Sequence, residues 1–396
     1  MGSWGSSGGI GDSVVGGRSR ALDDPLAIRT AGRELLSLAL IDARNRLLAL
    51  LAEDESAPAL RLAARAGWFQ EYWIACHVQR QRGEACDPAA TRLAGIELAI
   101  DAWRAPEGPP PAPADLRSYL AETLEITLDL LAASTEDDAA LHFFRLALQH
   151  EDRVVEALVE AGRHGTPPQR PQREPIWLPA QRWALGSPRA GGLQPWGERW
   201  AHEVAVPEFE IDAQAVSWAR YVEFADDGGY DRAELWSVAG WAWAQACGRR
   251  APRHVEQLHG GVLVQRGRGV VRVHPAQAAV HVSRFEAEAW CRWAGRRLPT
   301  EPEWELAATR AGGQGFAWGD VLEWMAGGAR PWPGAGAPSP GTLDLIPAAD
   351  AGPIGLIGVL RGASFATPPR WRHVKARRFA LPDEDGASCG FRSCAA

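Results

Sequence analysis

The sequence predicts a two-domain chain of class α followed by α+β: an antiparallel bundle of four helices, then a domain with little regular structure. Three observations predict it. Four segments before residue 165 carry apolar residues at helical spacing. A Pro- and Arg-rich stretch follows, and beyond it short β-type runs are broken by Gly and Pro. That last region also holds most of the 19 Trp of the chain, between Trp177 and Trp324, against only 4 Tyr in all. A loop-rich domain needs such large rigid side chains to build its core. The boundaries are a Gly/Ser-rich tail at 1–24, the bundle at 25–165, the linker at 166–180 and the second domain at 181–396.

The tail has too little apolar surface to offset ordering entropy and is expected to be disordered. From Asp24 to Ala52, Leu26, Ile28, Leu36, Leu40 and Leu47 recur at helical spacing. A second helix is expected from Pro58 to Gln81. The prolines from Pro106 to Pro113 remove backbone donors and fix φ, so that stretch is an extended loop. Two further helices are expected, Asp115 to Ala133 and Asp137 to Ala161, which completes an antiparallel bundle. Past the linker the strand signals are Val204 to Val206, Gly261 to Gln265 and Val270 to Val273, with helices at Trp218 to Asp226 and Ser283 to Ala294.

Composition bounds the function. The formal charge of −7 gives no global field for nucleic acid, and the runs Arg249-Arg250 and Arg296-Arg297 are too short for a nucleic-acid footprint. No run of about 18 apolar residues suggests a membrane partner, and no signal peptide is visible, so the expected location is cytoplasmic. The 6 Cys are too scattered for a disulfide scaffold or a metal-ligand spacing, and reduced buried thiols are expected.

The run CRWAGRRLPTEPEWE, from Cys291 to Glu305, resembles the signature of the formylglycine-generating and sulfoxide-synthase superfamily. Further matches are FEID at Phe209 to Asp212, DGGYDRAELWSVAGWAWAQA at Asp227 to Ala246, GFAWGDVLEW at Gly315 to Trp324, LRGASFAT at Leu360 to Thr367 and GFRSCA at Gly390 to Ala395. The GGY…ELW…GWAW element is similar to the sulfoxide synthases of ergothioneine biosynthesis. Such enzymes place a DinB-like four-helix bundle before a C-type-lectin-like domain, which the resemblance implies here. Within that group AGWFQEYWIACHVQRQRGEACDP (Ala66 to Pro88), FFRLALQHED (Phe143 to Asp152), RHVKARRFALP (Arg372 to Pro382) and CGFRSCAA (Cys389 to Ala396) resemble selenoneine synthase. The resemblance implies a non-haem Fe(II) enzyme that uses O2 to join hercynine, a trimethylated histidine betaine, to a selenosugar through a carbon–selenium bond. An ergothioneine-type sulfoxide synthase, which uses a thiol, is one alternative. A catalytically degenerate paralogue without the iron site, serving as a ligand-binding protein or binding a protein partner, is another.

The family takes one iron-binding His from a GHxxWFxE motif on the second helix and two from an HExxH-like motif on the last, where i and i+4 share a face. Here Arg65 stands at the first position, His150 is kept at the second, and Val154 stands at the third. His150 is thus the remaining metal candidate, with a histidine hydrogen-bonded inside the bundle as the plain alternative. His77 and His142 lie about 18 Å from position 65 and about 12 Å from His150 if their helices are continuous, too far to substitute. Glu151 and Glu156 face elsewhere on the helix. Arg65 and Arg153 would oppose a bound cation.

No catalytic residue is assigned. Trp236, Trp241 and Trp243 could hold a trimethylammonium by cation–π attraction, or simply pack a core. Trp318, Asp320 and Trp324, from GFAWGDVLEW, resemble the family segment that lines the substrate cleft. Among the basic residues Arg370, Arg372, Lys375, Arg377 and Arg378, the pair Arg377 and Arg378 are the substrate-binding candidates for a carboxylate or sugar. The alternative is that these cations pair with Glu301, Glu303 or Glu305. The shortened loop from Trp103 to Pro113 and the lack of Tyr between Trp324 and Leu360 also depart from the ergothioneine-type pattern. Cys389 and Cys394 lack the spacing of a formylglycine-type copper pair.

Overall fold

A computed structural model describes residues 20–95, 109–162, 164–267, 269–346 and 357–396. Residues 1–19, most of the loop from Trp103 to Pro113 and part of the Tyr-free segment before Leu360 therefore lie outside the described residues. The chain divides into two compact units. The first runs to Val155 and includes Gly191–Leu193 and Pro368–Trp371; the second comprises Glu156–Ala190, Gln194–Thr367 and Arg372–Ala396.

The first unit is helical. Helix α1 (Pro25–Arg29) starts where Asp24 Oδ1 accepts the N–H groups of Leu26 and Ala27, leaving Pro25 at a position that needs no donor. Helix α2 (Arg33–Glu53) begins afresh, so the expected single helix from Asp24 is two. Ser56 caps α3 (Ala57–Gln70), which passes into one π-helical turn, Glu71–Ala75. The helix therefore stops short of Gln81. The chain then turns through Gly83 at φ 53°, where a Cβ would meet the Ala139 carbonyl oxygen at 2.7 Å. Helices α4 (Pro113–Ala132) and α5 (Asp138–Gly162) follow. Leu36, Leu40, Phe69, Trp73, Leu131, Phe143, Phe144 and Leu148 make one buried apolar cluster.

In the second unit the strands are β1 (Ile176–Leu178), β2 (Gln181–Leu185), β3 (His202–Val206), β4 (Phe209–Ile211), β5 (Val255–Gln257), β6 (Leu263–Arg266), β7 (Gly269–Arg272), β8 (Arg296–Arg297), β9 (Leu322–Trp324), β10 (Gly358–Arg361), β11 (Arg377–Ala380), β12 (Cys389–Gly390) and β13 (Cys394–Ala395). They form sheets ordered β1-β4-β13-β8, β11-β10-β9-β12, β2-β3 and β5-β6-β7. Every pairing is antiparallel except β9 with β12. Helices α6 (Trp218–Asp226), α7 (Val238–Ala246), α8 (Arg284–Trp293) and α9 (Glu301–Arg310) pack among them. Part of the expected linker is built into this unit, since β1 pairs with β4 and Arg170 pairs with Asp320.

Tryptophan replaces regular layers in this core. Trp218, Trp290, Trp304 and Trp324 are all fully enclosed. Enclosing an indole requires an acceptor for its N–H. Trp290 donates to the Arg220 carbonyl, Trp304 to Glu323 Oε2 at 2.9 Å and Trp324 to the Val282 carbonyl at 2.8 Å. Glu323 is in turn held by Arg392, so this buried carboxylate has a charged partner. No helix of the described residues is long and apolar enough to cross a membrane.

The signature from Cys291 to Glu305 is explained by this packing. Gly295 at φ 63° ends α8, and Arg296 and Arg297 form β8 beside β13. Thr300 and Glu303 make a reciprocal capping box that starts α9, with Arg297 donating to both Glu303 oxygens at 2.9 and 2.7 Å. Glu301 takes Arg377, and Glu305 takes Arg361 and Lys375. These residues define a scaffold.

Candidate functional site

In the helical unit the charge of Arg65 acts on His150, and Val154 follows His150 by one turn of α5. Gly67 lets α4 approach closely, because a Cβ there would lie 2.5 Å from Tyr119 Cε1. Trp68 stacks on Tyr72, with ring centroids 4.8 Å apart. Phe69 stacks on His150 at 4.7 Å and an interplanar angle of 21°. Gln70 donates to Glu151 Oε2 at 2.7 Å, and Glu71 accepts the Tyr119 hydroxyl at 2.8 Å. Each of these motif residues thus has a packing or hydrogen-bonding partner in the scaffold.

The three positions at which the resemblance places metal ligands differ. Val154 is buried at 4% exposure and offers no lone pair. Arg65 is exposed, yet its charge acts on His150. Burial first, and Arg65 second, push the His150 pKa down to about 4. The expected hydrogen-bonded histidine is corrected: among the described residues His150 Nδ1 is buried without a hydrogen-bond partner, and the ring is held by its stack on Phe69. One imidazole beside a guanidinium and an isopropyl group is not a donor set for Fe(II), which takes imidazole and carboxylate ligands. No group of three His, Cys, Asp or Glu among the described residues is placed to hold a metal. His77 lies beyond the end of the helix that carries Arg65, and its Nδ1 accepts the Gln79 N–H at 3.2 Å.

The depressed pKa has a measurable consequence. The unfolded chain protonates this imidazole near its ordinary value of 6.5, while the folded chain resists until about 4. Stability is therefore full above pH of roughly 6.5 and is lost as pH falls towards 4. Between pH 7 and 5 the loss through this group is about 2 kcal/mol. Thermal melts of the native chain and His150→Gln should separate by that amount over this range; parallel pH profiles would show an accessible imidazole instead.

Two carboxylates of α5, Asp152 and Glu156, form ion pairs, each within its own unit. Within the first, Arg370 donates to Asp152 at 2.6 Å and to Asp42 at 2.8 Å, and the Trp371 indole donates to the same Asp152 at 2.7 Å. Within the second, one Arg378 nitrogen donates to both Glu156 oxygens at 2.9 and 2.7 Å, and Thr367 donates to that carboxylate too. Arg377 makes a two-point contact with Glu301 at 2.6 and 2.8 Å. Lys375 joins Glu305 at 2.5 Å, and Arg372 donates to the Thr367 and Phe365 carbonyls. Thus Arg377 and Arg378 are committed to internal carboxylates, as the pairing alternative had it for Glu301 and Glu305, while Glu303 takes Arg297.

The aromatic candidates are corrected in the same way. Trp324 is fully enclosed and has no face for a ligand. Asp320 is buried and bound by Arg170. Trp236 donates to the Gly229 carbonyl inside the core. One face of Trp243 already carries the Arg249 guanidinium, 5.0 Å from the ring centroid. Trp241 and Trp318 are only partly buried and keep some accessible surface. All six cysteines are free; Cys389 and Cys394 are buried, which pushes both thiols up, and Cys247 is exposed rather than buried.

Sequence reasoning missed Arg44, the centre of the bundle. Its guanidinium is 2% exposed and bonds Glu151 Oε1 at 2.5 Å, Glu151 Oε2 at 3.1 Å and Gln70 Oε1 at 3.2 Å. A readable signal existed: Arg44 falls on the apolar stripe of Leu40, Leu47 and Leu51, where a charge implies a buried partner.

Comparisons with known proteins agree with this scaffold. Residues 161–333 match the sulfatase-modifying factor enzyme 1-like domain. The hercynine oxygenase of Mycolicibacterium smegmatis is 30% identical over an alignment covering 85% of this chain and 93% of that one. The hercynine oxygenase of Mycolicibacterium thermoresistibile is 32% identical over 73% of this chain and 70% of its own. The formylglycine-generating enzyme of Streptomyces coelicolor is 33% identical over 42% of this chain and 56% of its own. With a helical unit ahead of a domain of the sulfatase-modifying-factor type, the chain belongs to the hercynine oxygenase family.

Proposed function

We propose that this chain is a selenoneine-synthase-type member of its family, with a DinB-like bundle, that has lost iron chemistry and acts as a binding protein for a hercynine-like betaine. One observation carries the reading. The motif residues Gly67, Phe69, Gln70, Glu71, Glu151 and Asp152 keep structural partners, whereas the ligand positions hold Arg65, an orphaned His150 and Val154. A site that had merely drifted would have lost both kinds of residue. The selenoneine-type assignment rests on the stretches Ala66 to Pro88, Phe143 to Asp152 and Arg372 to Pro382. Without Fe(II) the chain does not form the carbon–selenium bond itself, nor the carbon–sulfur bond of the ergothioneine-type reaction.

The partial exposure of Trp241 and Trp318 supports retention of a betaine site, because an indole face attracts a trimethylammonium even without a metal. Calorimetry with hercynine tests this. The expected result is saturable heat that is the same with and without added Fe(II). Absence of heat at millimolar ligand, or binding that requires Fe(II), contradicts the reading.

A further inference from the structure

A cavity lies within the second unit, and none of the residues given to the betaine or the metal lines it. Its walls include Glu160, Trp218, Val264, Arg266, Phe365 and Ser388. Its free volume is about 30 Å³, room for the roughly three heavy atoms of a carboxylate, and it is partly open, so that a short tail can extend along the walls towards the mouth. One of its polar groups is buried and unsatisfied. Ser388 is fully buried, its backbone N–H donates to Glu160 Oε1 at 2.7 Å, and its hydroxyl has no hydrogen-bond partner among the described residues. A buried orphan hydroxyl is costly and uncommon.

Arg266 is a half-buried cation in the same lining. Alternation along β6 puts it on the same side as the buried Val264. No carboxylate among the described residues pairs with it, and burial alone acts on its charge. Arg253, also in the lining, is by contrast satisfied by Asp385 at 3.0 Å. His281, next to these groups, is pinned by the carbonyls of Asp385 and Ala387 at 3.1 and 2.9 Å, so its Nδ1 carries a proton. An unpaired guanidinium fork and a hydroxyl donor around a space of this size fit a single carboxylate.

We propose that this cavity is a binding site for the carboxylate of a small monoanion with a short apolar tail. Arg266 takes the two oxygens, the Ser388 hydroxyl donates to one of them, and Val264 and Phe365 receive the tail. Glu160 selects for one negative charge, because its own carboxylate lies in the same lining and repels a dianion. The site is independent of the betaine reading and stands or falls without it.

Propionate titrated into the full chain at a pH of about 8.5 and followed by saturation-transfer NMR tests the proposal, with inorganic phosphate, a dianion at that pH, as the competitor. The expected result is saturable propionate binding that phosphate does not displace. Arg266→Gln should weaken it at least about tenfold. Ser388→Ala should also weaken it while leaving the melting temperature unchanged or higher, because the hydroxyl it removes makes no bond in the protein. No saturable binding, or equal binding by native chain and a folded Arg266→Gln, overturns the proposal. So does displacement by phosphate.

Discussion

The double variant Arg65→His with Val154→His is expected to retain on the order of one Fe(II) per chain. Positions 150 and 154 are one helical turn apart on α5, so two imidazoles there share a face. Position 65 lies one turn before Phe69 on α3, and Phe69 stacks directly on His150. The first change also removes the guanidinium whose charge now acts on that ring. A second imidazole at the buried position 154 should destabilise the iron-free variant by about 1–3 kcal/mol. Fe(II) should restore the melting temperature, since it binds only the folded state. A folded double variant with neither iron nor a metal-dependent rise in melting temperature contradicts this geometry.

Arg44→Met should have the largest effect on stability. It leaves Glu151, fully buried, with only the Gln70 amide as a partner among the described residues. Burial already raises the Glu151 pKa in spite of Arg44. Breaking a buried pair from one side costs about 3–5 kcal/mol, whereas replacing both partners with apolar groups of similar volume is often nearly neutral. Arg44→Met with Glu151→Met should therefore recover most of the loss. Denaturant unfolding of the three proteins measures it; a single variant within about 1 kcal/mol of the native chain would show the pair to be dispensable.

How much of this was legible in the sequence varied with the range of the interaction involved. Helices α4 and α5 carry their own periodicity, and the Ser283 and Thr300 caps are local, so their positions follow from neighbouring residues. The end of α3 did not, because Tyr72, Trp73 and Ile74 continue the apolar pattern while the backbone widens into a π turn. The break between α1 and α2 was likewise hidden by leucines on both sides. Least legible were the carboxylate partners of the buried arginines. Arg44 meets Glu151 across 107 positions and Arg370 meets Asp152 across 218, distances at which spacing carries no information. The same limit explains the candidate site. That Arg65 and Val154 stand where the resemblance places histidines was readable from the motifs, but that Arg378, Asp320 and Trp324 serve the interior was a matter of tertiary pairing.

The most direct measurement is anaerobic reconstitution of the native chain with Fe(II), desalting and metal analysis. An isolated imidazole beside Arg65 predicts no retained iron. Stoichiometric iron in the native chain would mean that other residues complete a site, and would contradict the account of a family member that binds without iron chemistry.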